Sequence, residues 1–307
     1  AANADLSDRD DVHAFIDKMV KSHAFERSEL ERTFAKVKPL PKIVKTISRP
    51  AESKPWHQYR PIFVTPDRIR QGVRFWKEHR AILEKAEQEY GVPPHIIVAI
   101  LGVETRYGRH RGGYRVMDAL STLAFDYPPR SRFFRSELEQ YLLMAREEKI
   151  SPLSLKGSYA GAMGQPQFIP SSFRAYAVDF NGDGRRDLWE DVEDVVGSVA
   201  NYFKRHGWEA GEDVAYRATA EGKRHGELVD KGIKPKTAAA RLDDYGVKTE
   251  ADLPDEAPVS LIELQQPDGP EYWVGRKNFY VITRYNHSAL YAMAVHQLSQ
   301  AIRDRMQ

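Results

Sequence analysis

The stretch Asp179-Phe-Asn-Gly-Asp-Gly-Arg-Arg-Asp-Leu-Trp-Glu190 holds oxygen ligands at a spacing that names its own chemistry. Asp179, Asn181, Asp183, Asp187 and Glu190 fall on the side-chain ligand positions of an EF-hand loop. Gly184 stands where such a loop must turn sharply, and Arg185 where only a backbone carbonyl is offered. Hard oxygen donors in that number suit Ca2+. Calcium sensors usually pair two loops and open a groove. This chain has one, so a structural calcium clamp is the expectation, with a plain Asp- and Gly-rich turn as the alternative.

A second chemical signal is one carboxyl. His95-Ile-Ile-Val-Ala-Ile-Leu-Gly-Val103 is apolar nearly all round, which predicts a helix buried in the middle of a domain, and it runs into Glu104-Thr-Arg-Tyr-Gly108. A carboxylate there is costly to desolvate, and the negative end of a helix disfavours it further. Both effects raise the pKa of Glu104 towards that of a general acid. The competing reading is a structural ion pair with Arg106 or another arginine.

A third stretch, 153–173, sets Gly157, Gly161 and Gly164 among Ser158, Gln165, Gln167, Met163 and Phe168. Small residues beside amides and aromatics suit a sugar-binding cleft. A loop with glycine turns has the same composition. The cluster Arg106, Arg109, Arg111 and Arg115 around Gly112-Gly113 reads as solvated surface, because no strand supports a nucleotide motif.

The elements that must position these groups are mainly helical. Val12, Phe15, Ile16, Met19 and Val20, then Phe25, Leu30 and Phe34, recur at helical spacing. Residues 38–66 carry Pro39, Pro41, Pro50, Pro55, Pro61 and Pro66, which predicts an extended strap in which Trp56 and Tyr59 anchor to the core or line a groove. Thr65-Pro66 starts a helix expected to continue to Gly91. Helices follow over 117–126, 131–148 and 171–178, and from Asp191 to Gly207. The region 208–283 reads as short strands, including 261–264, 272–274 and 279–283. A last helix follows Asn286-His-Ser288. The divisions drawn are 1–66, a helical region with strap; 67–207, a helical core with the EF-hand; 208–283, a small β region; and 284–307, a helix packing back.

With 307 residues the chain can bury a large core. Its 41% hydrophobic and 29% charged residues describe an ordinary globular protein, and a net charge of +2 is too small to argue for nucleic acid. No apolar run is long enough to span a membrane. The absence of cysteine excludes disulfides, thiolate metal sites and a cysteine nucleophile, and suits an oxidising compartment. A start at Ala1 without a leader is that expected of a processed product, and a lipid-anchor cysteine would lie upstream.

Val103-Glu-Thr-Arg-Tyr-Gly108, Lys156-Gly-Ser-Tyr-Ala-Gly-Ala-Met-Gly164, Gln167-Phe-Ile-Pro-Ser-Ser172, the Asp179 loop, Gly197-Ser-Val-Ala-Asn-Tyr202 and Arg284-Tyr-Asn-His-Ser288 together resemble the bacterial lytic transglycosylase B family. The resemblance implies a mainly α, α+β fold: a lysozyme-like helical core with an EF-hand, beside a helical region and a small β region. It implies cleavage of the β-1,4 bond between N-acetylmuramic acid and N-acetylglucosamine in peptidoglycan, leaving a 1,6-anhydromuramoyl end. Glu104 matches the family's single catalytic acid. Ser158 matches a residue that holds the substrate acetamido group, and Met163, Gln167, Phe168, Tyr59, Tyr202, Tyr285, Asn286 and Tyr291 match cleft positions. Arg130 matches one of two adjacent arginines, the other being replaced by Pro129. Some relatives close the calcium site with a later acidic residue, so Glu190 and Asp194 compete as last ligand, with Glu193 behind them. Structural Ca2+ and no organic cofactor are implied. The partners implied are peptidoglycan strands and other cell-wall enzymes, in the periplasm of a Gram-negative bacterium, with the protein either soluble or lipid-anchored. The alternatives are a hydrolase of lysozyme type and a wall-binding module without catalysis.

Overall fold

Residues 6–49 and 54–307 are described by the computed structural model, so Pro50 of the proline-rich segment lies outside them. In chain order the helices are α1 (Asp10–His23), α2 (Arg27–Phe34), α3 (Pro41–Ile47), α4 (Trp56–Phe63), α5 (Pro66–Glu78), α6 (Arg80–Tyr90), α7 (Pro94–Thr105), α8 (Val116–Asp126), α9 (Ser131–Glu147), α10 (Pro170–Tyr176), α11 (Val192–Arg205), α12 (His225–Asp230), α13 (Lys277–Ile282) and α14 (Ala289–Asp304). The strands are β1 (Tyr114–Arg115), β2 (Lys156–Gly157), β3 (Ala215–Ala220), β4 (Thr237–Ala238), β5 (Val247–Thr249), β6 (Pro258–Leu264) and β7 (Glu271–Gly275).

Three expectations are corrected. The segment 38–66 is not an extended strap, because most of its prolines fall where helices tolerate them: Pro41 and Pro66 open α3 and α5 and Pro55 caps α4, while Pro61 alone stands inside the short α4. The helix expected over 66–90 is two helices, α5 and α6, since His79 leaves helical geometry at φ −117° and ψ 26° and lays its ring 4.5 Å from that of Phe75. The β-like run 279–283 is mostly α13, with Phe279, Val281 and Ile282 buried; tertiary burial overrides a strand propensity that only reports fit to a half-buried surface.

The chain divides into two compact units, one of residues 6–49 and 108–195 and the other of 54–107 and 196–307. In the first, α8 packs on α9 and α9 on α10. Phe15 of α1, Phe34 of α2 and Phe125 of α8 meet edge to face, with ring centroids 6.0 to 6.3 Å apart. In the second, α7 lies against α14, α5 and α6, and every residue from Ile96 to Leu101 has no exposed surface. That unit also holds an antiparallel sheet in the order β4-β6-β7-β3-β5. Val259, Leu261, Val274 and Val247 of the sheet bury one face together with Leu228 of α12.

The end of α7 is locked by Tyr107. Arg106 at φ 50° and Tyr107 at φ 59° both take the left-handed conformation, which turns the chain back after Thr105. The Tyr107 hydroxyl donates to the Arg68 carbonyl of α5 at 2.8 Å, and the ring stacks 5.7 Å from Phe75. Only glycines leave room for it: a Cβ on Gly72 would lie 2.5 Å from the hydroxyl, and one on Gly102 2.6 Å. Gly102→Ala therefore overpacks this joint and is expected to cost about 1–3 kcal/mol, read as a lower urea midpoint at unchanged m-value.

Candidate active site

In the second unit Glu104 sits in the last turn of α7, half-buried, with no lysine or arginine at ion-pair distance among the described residues. Its polar partner is Tyr291 of α14, whose hydroxyl donates to Oε1. Tyr291 is placed there by its own helix start, where Ser288 caps α14 by accepting the Tyr291 N–H at 3.2 Å. Burial raises the Glu104 pKa to about 7, against the opposing effect of the Tyr291 hydrogen bond. Burial likewise raises the phenols of Tyr59, Tyr285 and Tyr291, and the nearby Glu104 charge adds to each. The sequence-derived residues Tyr59, Tyr285 and Tyr291 thus converge on Glu104. Tyr202 joins them through Tyr285, at 4.8 Å between rings, and donates its hydroxyl to the Arg284 carbonyl at 2.6 Å. Asn286 lies exposed beside Tyr285.

The remaining cleft candidates are in the first unit. Ser158 follows β2, and its Oγ accepts the backbone N–H groups of Ala160 at 3.2 Å and Ala162 at 3.0 Å, which occupies its lone pairs and leaves its O–H as a donor. Gln167 takes the left-handed conformation at φ 54°. Its Nε2 donates to the carbonyls of Gly164 at 2.9 Å and Arg111 at 3.2 Å, turning its amide into part of the backbone scaffold. Met163 and Phe168 exchange backbone hydrogen bonds at 2.8 and 3.1 Å, and their side chains are 0% and 2% exposed, so they shape the turn from within and present no surface. Arg130 is exposed over the Phe133 ring at 4.3 Å. Phe133 escaped the sequence reading because an exposed aromatic at helical spacing resembles any other core residue.

The same unit holds the 179–190 loop. Asp179 accepts the N–H groups of Gly182, Asp183 and Gly184 at 2.8 to 3.0 Å, and Asp183 accepts that of Arg185 at 2.9 Å. Gly182 and Gly184, at φ 78° and 90°, make the turns. Among the described residues no three His, Cys, Asp or Glu side chains gather into a metal site. The donors in this loop are instead a mixture of carboxylate, amide and carbonyl oxygens, which suits a hard cation. Glu190 turns away to pair with Arg111 at 2.7 Å and is 74% exposed. Asp194 is 1% exposed and closes the loop base by accepting from Phe180 N at 2.7 Å and Asp187 N at 2.8 Å. The far end of the loop is stitched to the glycine-rich turn: Gln165 N donates to the Leu188 carbonyl at 2.8 Å, Gln165 Nε2 to that of Trp189 at 3.1 Å, and Trp189 Nε1 to that of Lys156 at 3.1 Å.

A carboxyl whose pKa burial raises to about 7, beside phenols and with no ion-pair partner among the described residues, has the proton affinity that general acid catalysis uses. The profile of the Transglycosylase SLT domain matches residues 7–300. The membrane-bound lytic murein transglycosylase B of Escherichia coli (strain K12) is 47% identical over 308 residues, covering 97% of this chain and 84% of that protein. The crystal structure of catenated lytic transglycosylase SltB1 from Pseudomonas aeruginosa superposes with a TM-score of 0.95 at 51% identity, covering 99% of this chain and 100% of that one. Escherichia coli Slt35 in complex with calcium gives 0.90 at 45% identity, covering 99% of this chain and 96% of that one. The chain belongs to the SLT transglycosylase family. It is a lytic transglycosylase of the murein transglycosylase B kind, a peptidoglycan-cleaving enzyme with the mostly helical, lysozyme-like fold of its structural neighbours.

The Glu104 environment has a thermodynamic signature. The folded state holds the proton to about pH 7 while the unfolded chain releases it near the ordinary 4.5, so stability falls as pH rises between those values. Glu104→Gln removes this loss. The variant is expected to match wild type near pH 4 and to exceed it at pH 8 by up to about 3 kcal/mol, measured by urea denaturation at both pH values; equal differences at the two would dismiss the buried-acid description.

Proposed function

We propose that Glu104 is the single catalytic acid and base of a non-hydrolytic cleavage of peptidoglycan strands. The observation that carries this reading is a carboxyl with a pKa of about 7 beside a phenol donor, with no charged partner among the described residues. Protonated, it gives its proton to the glycosidic oxygen of the β-1,4 bond as that bond to C1 of N-acetylmuramic acid breaks. The O–H of Ser158 holds the carbonyl of the substrate acetamido group, which stabilises the cation developing at C1. Glu104, now a carboxylate kept in place by Tyr291, takes the proton from the C6 hydroxyl as that oxygen bonds to C1. The products are a 1,6-anhydromuramoyl end and a free N-acetylglucosamine hydroxyl, and Glu104 is again protonated. Tyr59, Tyr202, Tyr285 and Asn286 line the sugar path, Gln167 with Met163 and Phe168 beneath it shapes the turn, and Arg130 meets acidic groups on the strand. The substrate and the cysteine-free chain suit the periplasm.

Digestion of purified sacculi is expected to release products with 1,6-anhydro ends by mass spectrometry. Reducing ends would identify a hydrolase, and full activity in Glu104→Gln would remove that residue from the mechanism. Because Glu104 must begin protonated, kcat/KM is expected to fall as pH rises through about 7.

For the 179–190 loop we propose a structural calcium held by Asp179, Asn181, Asp183, the Arg185 carbonyl and Asp187. Asp194, facing the loop base, is favoured over Glu190 and Glu193 to complete it. Calcium would supply charge compensation and a fixed loop, and through Gln165 and Trp189 a fixed glycine-rich turn. Addition of calcium after chelation should raise Tm, by an amount equivalent to about 2.7 kcal/mol at a hundredfold excess over Kd. Asp183→Ala should abolish the rise, whereas an unchanged wild-type Tm would count against a bound ion.

A further inference from the structure

The second unit buries one charged group that the chemistry at Glu104 does not use. Arg68, in the first turn of α5, is 6% exposed and forms no ion pair among the described residues; its acidic neighbour Asp67 pairs instead with Arg70 at 3.0 Å. A buried guanidinium without a carboxylate is rare, because an apolar side chain of similar size fills such a space at lower cost. Burial first, and then the charge of Arg106, lower its pKa, yet an arginine stays protonated.

The use of this buried cation lies at the end of α4. The carbonyl of Ile62 stands in the last turn of α4, and the residue four positions on, whose N–H would continue the helical ladder, is Pro66, which has none. Arg68 Nη1 donates to that carbonyl at 2.6 Å, and its guanidinium carbon lies 5.4 Å from the centre of the Phe63 ring. Its Nε–H is buried without a partner. The helix needs such an anchor, since α4 has eight residues with Pro61 inside it, and helices shorter than about 12–15 residues are marginal by themselves. Two further bonds pin it: His57 N donates to the Gln265 carbonyl at 3.3 Å, and Arg60 Nε to Gln297 Oε1 of α14 at 2.5 Å.

What α4 carries is Tyr59. Its ring lies 6.3 Å from that of Trp56 and 5.1 Å from that of Phe63, and the Glu104 charge acts on its phenol. Arg68, Phe63 and Tyr59 therefore form one run of contacts that leads from the buried cation towards the Glu104 carboxyl. The backbone of the same arginine is fixed independently: its N–H donates to Thr65 Oγ1 at 3.1 Å, and its carbonyl accepts the Tyr107 hydroxyl that closes the end of α7.

We infer that Arg68 is a positioning residue: its carbonyl holds the exit of the helix that ends beside Glu104, and its guanidinium holds the end of the helix that carries Tyr59, so that the two side chains keep one relative position. The kinetic consequence rests on the reading of Tyr59 as part of the sugar path, whereas the position of the ring is tested without it.

The full chain labelled with 13C in its tyrosine rings reports that position, with the Tyr59 and Tyr107 signals assigned by their loss in Tyr59→Phe and Tyr107→Phe. In Arg68→Met, which keeps the apolar stem and loses the donor, the Tyr59 signals are expected to lose the ring-current shift given by Trp56 and Phe63 and to move towards the values of free tyrosine. Those of Tyr107, bonded to the Arg68 carbonyl and not to its side chain, should stay in place. Arg68→Gln, which keeps a polar head of shorter reach, takes the decision should Arg68→Met fail to fold. With soluble glycan strands as substrate, loss of the guanidinium should raise KM about tenfold at little changed kcat and should add nothing to the effect of Tyr59→Ala in a double-mutant cycle. Tyr59 signals that stay in place would overturn the proposal, as would losses that multiply in the double variant. A moved ring with unchanged KM would uphold the positioning and count against Tyr59 as part of the sugar path.

Discussion

The structure turns on the desolvation of one carboxyl. Glu104 lies in the last turn of a helix in which Ile96 to Leu101 have no exposed surface, so its charge is denied water on the protein side. Two opposed effects set its proton affinity: burial, which is larger, and the hydrogen bond donated by Tyr291. A stronger donor or a nearby guanidinium would lower the pKa and yield an inert carboxylate. A phenol is the intermediate choice, because it stabilises the anion enough for that state to be reached and leaves the acid form well populated at neutrality. Burial, with the Glu104 charge adding to it, raises the pKa of Tyr59, Tyr285 and Tyr291 and keeps all three phenols as donors.

Such an arrangement demands that the end of α7 be held closely. The chain leaves α7 through two non-glycine residues in the left-handed region, a conformation costing about 1–3 kcal/mol per residue. Tyr107 is the compensation: its ring fills the space above Gly72 and Gly102 and its hydroxyl satisfies a carbonyl of α5. The last turn of α7 is thereby tied to the helix beneath it, and the position of the Glu104 backbone follows.

A parallel economy operates in the other unit. The turn holding Ser158 and Gln167 has almost no regular structure of its own, and Gly164 approaches the Leu188 carbonyl so closely that a Cβ would sit 2.5 Å from it. Backbone and amide hydrogen bonds from Gln165 and Trp189 join the turn to the acidic loop. Whatever fixes the loop fixes the turn, which makes a bound cation more useful as a brace than as a switch.

Local physics in the chain itself determined a good deal. The all-apolar run to Val103 required a buried helix and therefore a perturbed Glu104, Thr65-Pro66 marked the start of α5 and Asn286-His-Ser288 that of α14, and the Asp179 spacing marked a turn-rich oxygen-ligand loop. These signals depend on neighbours within a few residues. Long-range packing decided the rest. The proline-rich segment became α3 and α4 because proline position relative to a helix end, not proline number, controls its effect. The run at 279–283 became helical where burial against the rest of its unit outweighed strand propensity. No spacing could reveal that Tyr291, almost two hundred residues after Glu104, would supply the hydrogen bond that opposes the effect of burial, or that Met163 and Phe168 would be buried while Ser158 kept a donor. Each of those facts belongs to contacts between distant segments, which only the folded chain creates.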